Sequence, residues 1–365
     1  MKLWLKALTP IHIGSGYEIS PMEYFLGDGF SRLDLNTLFR DPAFNAYRED
    51  FLEKARRGQR YIRDAVQDEN LLKRHALYEI PISPGSRSYI ASHPINVREH
   101  INSAGRIFIP GSSIKGAIVS ALLFNKIGKL IDKEQNLKSI LNDMLKKVHS
   151  KNPQERKESN NFYEKIIARL YGILSGKKPS KFIKWAKFGD SDLKDRRECL
   201  TIYYTKVVGT KTGRTIPIVL EGIRQGTIFS FQVSSDDQSF AHSLPEDWLK
   251  LTDDFYRLVW EKTQPALRFP REGYLIRLGF GSSCWATSFL MLKEKYNLDG
   301  PLMPPRTKRL IEGNVPLGWA LIFKTREAAK NFVNFEPIAS KDKSQKPLDT
   351  TKLFNNPRFK IRIKK

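Results

Sequence analysis

The chain has 365 residues, and at about 150 residues per domain this length predicts two domains with room for a real hydrophobic core. Apolar residues make up 40% and charged residues 28%, which argues against wholesale disorder. The formal net charge is +23, which predicts attraction to polyanions, with nucleic acid first and an anionic membrane surface second.

The first third of the chain mixes strand and helix signals. Apolar and polar side chains alternate at the start, as in a half-buried strand, and a glycine turn follows. Later apolar spacings indicate helices. The predicted elements are a strand at 2–8, a turn at 14–16, a hairpin at 24–33, mostly helical sequence at 35–72, strands at 78–82, 95–101 and 106–109, and a helix at 114–130.

A lysine-rich helical region follows, and strand character then resumes. The tip of one long hairpin, at 209–214, carries two cations and no acid. The last 25 residues hold nine cations and two acids, which predicts a basic strand or a tail that orders on RNA. The remaining predicted elements are strands at 181–188, 199–208, 215–220, 226–234, 274–278 and 317–324, and a helix at 249–262.

Three glycine-containing turns stand out: TPIHIGSG at 9–16, IPGSSIKG at 109–116 and RLGFGSS at 277–283. Exposed backbone N–H groups and hydroxyls at such turns suit a phosphate oxygen, and a nearby cation adds charge. The alternative is plain turns that need positive φ. The candidate phosphate-binding residues are Gly14, Ser15, Gly16, Gly111, Ser112, Ser113, Lys115, Arg277, Gly279, Gly281 and Ser282.

Several familiar sequence motifs for nucleotide binding and metal binding are incomplete or absent. Ala117 stands where a P-loop needs lysine, and Cys284 occupies the third glycine position of a dinucleotide-binding motif. Neither an ATPase nor a Rossmann dehydrogenase is therefore supported. The six histidines lack metal-ligand spacing, and we expect no metal and no cofactor. Asp190 and Asp192 in FGDSD could hold magnesium, cap the turn or pair with nearby arginines.

The sequence also lacks signals for a membrane or secreted protein. Its longest nearly apolar stretch, 117–124, is far below the roughly 20 residues that a span needs. The start, MKLWLKALTP, has no cleavage site for a signal peptide. Two distant cysteines support neither a disulfide framework nor a zinc finger. We therefore expect a cytoplasmic protein that does not bind a membrane.

Catalysis has one weak candidate. His12, beside the first glycine turn, is suited to acid–base cleavage of RNA, but a histidine that hydrogen-bonds the loop or a phosphate is the favoured interpretation. The thiol of Cys284 is interpreted as a small buried apolar group. In KFIKWAKF, cations alternate with aromatic residues, as on the surface of RNA-binding sheets, and Lys184 and Trp185 are the candidates for RNA contact. Packing in the core, with the lysine ammonium groups reaching solvent, is an equally weighted alternative.

In combination, TPIHIGSG, FIPGSSIKGAI, FGDSD and RLGFGSS resemble the RAMP superfamily of CRISPR-associated RNA-binding proteins. ISPMEY at 19–24 and PRTKRLIEGNVPLGW at 305–319 are similar to the Csm-series subunit at the end of type III-A effector complexes. That subunit holds the 3′ part of the CRISPR RNA. The resemblance extends from about residue 3 to residue 323.

The resemblance implies an α+β fold with a ferredoxin-like, RRM-like RAMP core in two related halves. The implied divisions are an N-terminal RAMP part at 1–125, a helical insertion at 126–180, a second RAMP half with a thumb-like hairpin at 181–325, and a basic tail at 326–365. It also implies RNA contacts by the glycine loop, by Lys211 and Arg214 of the hairpin, and by Arg306, Lys308 and Arg309.

Function remains open between an RNA-binding subunit, a nuclease and a basic scaffold for acidic protein or anionic lipid, and the scaffold would leave the glycine turns unexplained. The resemblance implies a non-catalytic subunit that binds CRISPR RNA, and possibly target RNA, beside the repeated RAMP backbone subunit and the small subunit. Backbone subunits cleave target RNA with an aspartate soon after the first glycine turn. This chain has Glu23 there, and its first aspartate is Asp28. The alternative is a metal-independent endoribonuclease that processes CRISPR precursor RNA, with His12 as acid or base.

Overall fold

The structure is a computed structural model, and it describes residues 1–58, 61–133, 138–139, 141–142, 186–209, 213–235, 244–264, 270–286, 288–299, 307–312 and 315–333. Helices and strands both contribute extensively, which confirms an α+β fold. The strands are β1 Lys2–Ala7, β2 Gly14–Ile19, β3 Tyr24–Leu26, β4 Phe30–Leu33, β5 Ala76–Ile80, β6 Val97–His100, β7 Asn102–Ser103, β8 Arg106–Ile107, β9 Ala186–Phe188, β10 Leu200–Gly209, β11 Thr215–Ile223, β12 Ile228–Ser235, β13 Tyr274–Arg277, β14 Thr307–Ile311, β15 Val315–Pro316 and β16 Trp319–Phe323.

The described helices comprise a cluster of short helices near the N-terminus, two long helices on the main sheet, and further short helices in the second half of the chain. The α-helices are α1 Leu35–Arg40, α2 Arg48–Arg56, α3 Ile62–Ala65, α4 Glu69–Arg74, α5 Pro84–Ser92, α6 Gly111–Lys133, α7 Arg196–Cys199, α8 Trp248–Thr263, α9 Ser288–Tyr296 and α10 Arg326–Asn331. Short 3-10 helices lie at Pro21–Glu23, Pro42–Tyr47, Gly279–Gly281 and Cys284–Ala286.

The central sheet has five strands in the order β13-β16-β1-β12-β9, all antiparallel. The predicted N-terminal strand is confirmed as β1, and it lies in the middle of this sheet. Leu5 faces Phe229 on one side and Ile322 on the other. A strand from the start of the chain is therefore held between two strands from its second half.

Helices α6 and α8 pack on this sheet. Their apolar stripes include Ile114 and Ile118 of α6 and Phe255 and Trp260 of α8, all essentially inaccessible to solvent. Tyr256 buries its ring in the same layer and donates its hydroxyl to the carbonyl of Ala117 at 3.1 Å. Both helix predictions are confirmed, and α6 begins three residues earlier than its apolar spacing indicates.

A second sheet has six strands in the order β15-β14-β10-β11-β6-β2. The predicted long hairpin is confirmed as β10 and β11, paired from Leu200↔Ile223 to Val208↔Thr215. The turn predicted at 14–16 is wrong, because Gly14 begins strand β2. The pairing of β2 with β6 is interrupted between Gly14 and Glu18, which is why glycines suit this irregular strand.

A small separate core lies under the N-terminal helices. Phe25, Leu38, Phe44 and Leu71 are buried together there, beside the three-stranded sheet β3-β4-β5. The helical prediction for 35–72 is confirmed as a series of short helices, with a 3-10 helix starting at Pro42. Helix α5 was not predicted.

Some sequence predictions lie outside the described residues. They include most of the helical insertion, the C-terminal tail beyond residue 333, and Lys184, Trp185, Lys211 and Arg306. In the part of the chain that the structure describes, no helix combines the length and apolar character that crossing a bilayer requires.

Candidate nucleic-acid interface at the glycine-rich loop

The third glycine turn forms a tight loop after β13. Gly279 has φ +67°, and a Cβ there would lie 2.2 Å from the carbonyl oxygen of His12. The backbone N–H of Phe280 donates to that same oxygen at 2.8 Å. A Cβ on Gly281 would lie 2.2 Å from the carbonyl oxygen of Leu317. Glycine is required at both positions because the backbones approach this closely.

This packing brings the first glycine motif, now the start of β2, together with the third. The "β2 cleft" is the depression that they share, and it has a volume of about 460 Å³. The cleft also contains an ion pair, because the Nε of Arg98 lies 3.4 Å from a carboxylate oxygen of Glu18. The predicted residues His12, Gly14, Gly16 and Gly279 all line it, together with Phe280.

Phe280 separates this cleft from a second one. The guanidinium of Arg98 lies 4.9 Å from the centroid of the Phe280 ring, and that of Arg309 lies 4.0 Å from it. Arg309 also donates to the carbonyl of Phe280. Burial and the like charge of Arg98 lower the pKa of Arg309. Two arginines are thus fixed on one aromatic ring at the centre of the site.

The second depression, the "α8 cleft", lies between the end of α8, the glycine loop and strand β14. Its volume is about 220 Å³. The predicted residues Arg277, Gly281, Ser282, Lys308 and Arg309 line it. Cys284 lines it as well and is exposed, so the prediction that its thiol is buried is wrong. Within the described chain, its lining includes no aspartate or glutamate. The cleft is therefore suited to an anion.

Strand β14 connects this cleft to the long hairpin. Lys308 pairs in register with Val208, and Arg309 with Val207, on the strand that leads to the hairpin tip. The carbonyl of Arg214 closes the base of that tip by accepting from the N–H of Gly209 at 2.8 Å. The predicted cations of β14 therefore lie on the path from the glycine loop to the predicted thumb.

His12 is a structural residue of the loop. It is 2% exposed, and its Nδ1 lies 2.7 Å from the carbonyl oxygen of Glu221, so the ring donates there. Burial lowers the pKa of His12 to about 4. A buried imidazole held neutral by its surroundings favours the hydrogen-bonding interpretation over acid–base catalysis, which needs access and a pKa near the working pH.

Sequence reasoning missed the polar network beneath the loop. Glu221 is fully buried, and its carboxylate accepts from the Tyr78 hydroxyl and from the N–H of His100. Burial raises the pKa of Glu221. Ser15, a predicted phosphate donor, instead donates to Glu99 at 2.9 Å. No local motif identifies this network, because its members come from strands far apart in sequence.

The second glycine turn lies elsewhere and packs on FGDSD. A Cβ on Gly111 would lie 2.0 Å from the carbonyl oxygen of Phe188, and its N–H donates to Asp190 at 2.8 Å. Lys115 donates to the carbonyl of Ala186 at 3.0 Å, while Ser112 is exposed. None of the turn's predicted residues lines either cleft, so the structure joins only two of the three turns.

The two FGDSD carboxylates serve as backbone acceptors. Asp190 binds the start of α6, and Asp192 accepts from the N–H of Ser230. Across the described residues, no cluster of three or more potential metal ligands occurs. Of the options left open by the sequence, the structure favours capping for Asp190. Asp192 instead binds the backbone of β12 and pairs with Lys194 at 3.2 Å.

Comparison with known proteins agrees with this architecture. The family model for the RAMP superfamily matches residues 4–283, so the chain belongs to the RAMP superfamily. Among individual proteins, it is similar to the CRISPR system Cms protein Csm5 of Methanocaldococcus jannaschii, at 28% identity over 250 residues. The match covers 66% of this chain and 54% of that protein, so the chain spans about half the length of this curated relative.

Two solved structures share the fold. One is a chain of a cryo-EM structure of a Csm–crRNA–target RNA ternary complex in a type III-A CRISPR-Cas system, with a TM-score of 0.64 and 21% identity. It is matched over 88% of this chain and 100% of that chain. The other is the crystal structure of T. onnurineus Csm5, with a TM-score of 0.61, 20% identity, and coverage of 87% and 99%.

Proposed function

We propose that this protein is an RNA-binding subunit of a type III-A CRISPR ribonucleoprotein. In this proposal it caps the filament of repeated RAMP backbone subunits at the 3′ part of the CRISPR RNA and supports maturation of that RNA, in cytoplasmic antiviral defence. Its partners are CRISPR RNA, target RNA, the backbone subunit and the small subunit. The likeness to Csm5 in sequence and in fold supports this assignment.

The observation that carries the proposal is the Arg98–Phe280–Arg309 stack between the two clefts. An aromatic ring with two guanidinium groups held within 5 Å of its centroid presents fixed cations and a flat surface, which suit phosphates and unstacked bases. The stack lies on the loop that packs against His12, in a chain whose net charge is +23. Affinity is then mainly electrostatic and tolerant of base sequence.

The finer fold assignment belongs to this proposal. We propose a ferredoxin-like core made of β1, α6, β9, β12, α8 and β16. The strand order β16-β1-β12-β9, with a helix after β1 and another after β12, supports it. The domain boundaries after residues 125, 180 and 325 stay predictions. The structural relation between the two RAMP halves is also still a prediction. So are the RNA contacts of Lys184, Trp185, Lys211 and Arg306.

Salt dependence tests the electrostatic proposal directly. Binding of a single-stranded RNA of about 40 nucleotides should weaken linearly in log–log form, because each phosphate contact contributes a slope of about −0.7. An Arg98→Ala/Arg309→Ala variant should bind more weakly and with a shallower slope. The matched control is Arg57→Ala/Lys250→Ala, which removes two exposed cations that line neither cleft. A flat salt response of the wild-type protein would sink the proposal.

The same samples examine the nuclease alternative. RNA should remain intact with magnesium and with EDTA, because His12 is buried and bonded through Nδ1. Discrete products that His12→Gln abolishes would instead make the protein an endoribonuclease. Products that persist in His12→Gln would exclude His12 as the acid or base.

A further inference from the structure

The α8 cleft contains a buried arginine without an anionic partner. Arg277 is 5% exposed, its guanidinium lies 4.8 Å from the Trp319 ring centroid, and its Nε donates to the Leu317 carbonyl at 3.4 Å. Its Nη1 is buried with no hydrogen-bond partner, and no ion pair of Arg277 occurs in the described residues. Burying an unpaired charge is costly, so an anion in the cleft would stabilise this arrangement.

A second donor in the same cleft is also unsatisfied. The Oγ of Ser283 is buried and has no hydrogen-bond partner. Ser283 follows the glycine loop directly and lines the cleft together with Arg277. A guanidinium and a hydroxyl are complementary to the several acceptor oxygens of one phosphate group. Lys308 and Arg309 of β14 also line the cleft and add charge, and among the described residues its lining includes no carboxylate.

The cleft also contains a flat aromatic surface. Trp285 is partly exposed and lines the cleft next to Cys284, and the ammonium of Lys262 lies 5.8 Å from its ring centroid. Stacking of a base on such a ring is worth about 1–3 kcal/mol per base. At about 220 Å³ the cleft is smaller than the roughly 300–1,000 Å³ of sites for drug-sized ligands. This volume is too small for two paired nucleotides, so the ligand considered is a single nucleotide.

We propose that the α8 cleft is a mononucleotide pocket, in which Arg277 and Ser283 hold a phosphate and Trp285 stacks on the base. The inference rests on the proposed function where the nucleotide is part of bound RNA. A free nucleoside monophosphate presents the same chemistry, and the experiment below separates the two sources.

Calorimetric titration of the full chain with uridine 5′-monophosphate is the direct test. Uridine monophosphate should bind at least tenfold more tightly than uridine, because the phosphate supplies the charge that Arg277 lacks. Ser283→Ala should weaken binding of the monophosphate about fivefold and leave uridine unchanged. Trp285→Ala should weaken both ligands. Lys250→Ala, an exposed cation on α8 outside the cleft, is the control and should leave both unchanged.

Arg277→Ala removes a buried side chain and is expected to impair folding, so the decision rests on Ser283→Ala and Trp285→Ala, with thermal unfolding as the check of fold. Absence of monophosphate binding in a protein that still binds 40-nucleotide RNA would overturn the pocket and leave the proposed function standing. Equal affinities for the monophosphate in wild type and both variants would also overturn it.

Competition then identifies the source of the nucleotide. If saturating RNA abolishes monophosphate binding, and Ser283→Ala weakens RNA binding, the pocket receives a nucleotide of the RNA. If the monophosphate binds equally well beside saturating RNA, the pocket serves a free nucleotide. Monophosphate binding without any RNA binding would support the pocket while the proposed RNA-binding function fails. These outcomes therefore distinguish failure of the nucleotide pocket from failure of the proposed RNA-binding function.

Discussion

Gly279 shows how a single residue determines the site. Its φ is +67°, and a Cβ would collide with the His12 carbonyl oxygen at 2.2 Å. Gly213 has a similar φ of +64° but nothing within 4 Å of its Cβ position. The two glycines therefore separate the cost of a left-handed conformation from the cost of a collision.

We expect Gly213→Ala to lose about 1 kcal/mol of unfolding free energy, the cost of a left-handed conformation. Gly279→Ala should lose clearly more, and RNA affinity with it, because the loop must move off His12. Urea unfolding and an RNA-binding titration measure the two effects. Equal losses in the two variants would contradict the importance of close packing at the loop.

The buried histidines predict a pH dependence of stability. Burial lowers the pKa of His12 to about 4 and that of His100 to about 3, whereas both are near 6.5 when unfolded. Below pH 6.5 the unfolded chain therefore binds more protons at these sites, and the fold loses stability as the pH falls toward 4. Glu221, whose pKa burial raises, opposes this trend.

As the pH falls from 7 to 5, each of the two buried histidines should lower the unfolding free energy by an amount on the order of 2 kcal/mol. Urea unfolding at several pH values measures the slope. His12→Gln should make that slope smaller, whatever its effect on absolute stability. Asn36→Ala, at an exposed position that does not titrate, should leave the slope unchanged. An identical slope in His12→Gln would refute the assignment.

At the scale of elements, Glu312 connects the second sheet to helix α5. Its carboxylate accepts from the hydroxyls of Ser83 and Ser86 and from the N–H of Gly85 at 3.1 Å. An anion at the start of a helix is stabilised by the exposed N–H groups there. The Ser83–Pro84 step is itself a helix-start signal, and α5 could have been recognised from it.

Glu312→Ala should lower the unfolding free energy by about 1–3 kcal/mol, since it leaves donors at the helix start without their acceptor. Chemical denaturation provides the measurement. Glu53→Ala removes an exposed carboxylate that pairs with Arg57 and should cost less than about 1 kcal/mol. A loss for Glu312→Ala no larger than for Glu53→Ala would show that this contact does not stabilise α5.

At the scale of the whole molecule, charge dominates the expected interaction with RNA. The last 25 residues carry nine cations and two acids, and this prediction rests on that charge alone. Deleting residues 341–365 should weaken RNA binding and make its salt dependence shallower, by about 0.7 in log–log slope for each lost phosphate contact.

A variant of the full chain with the nine cations of residues 341–365 replaced by glutamine is the control. It should reproduce the effect of the deletion. If neither variant changes the slope, the tail does not contribute to phosphate binding, and the described clefts must account for the salt dependence.

The sequence by itself identified the family and most elements, and it predicted attraction to polyanions. Periodicity located β1, α6, α8 and the long hairpin, because apolar spacing reflects which local faces are buried. The sequence also indicated that RLGFGSS, at 277–283, contains a turn whose backbone conformation requires glycine. It was wrong about 14–16, where glycine marks an irregular strand rather than a turn, since both conformations favour the same residue.

Only the tertiary structure decided which turns meet. Gly279 and His12 are brought together because β1 and β13 both flank β16, whereas Gly111 packs on Gly189 at the other side of the sheet. The roles of Ser15, His12 and Asp190 as internal hydrogen-bond partners likewise depend on distant strands. Local sequence pattern reflects secondary-structure propensity and burial, but contacts between residues roughly 80 to 270 positions apart arise from the packing of the sheets.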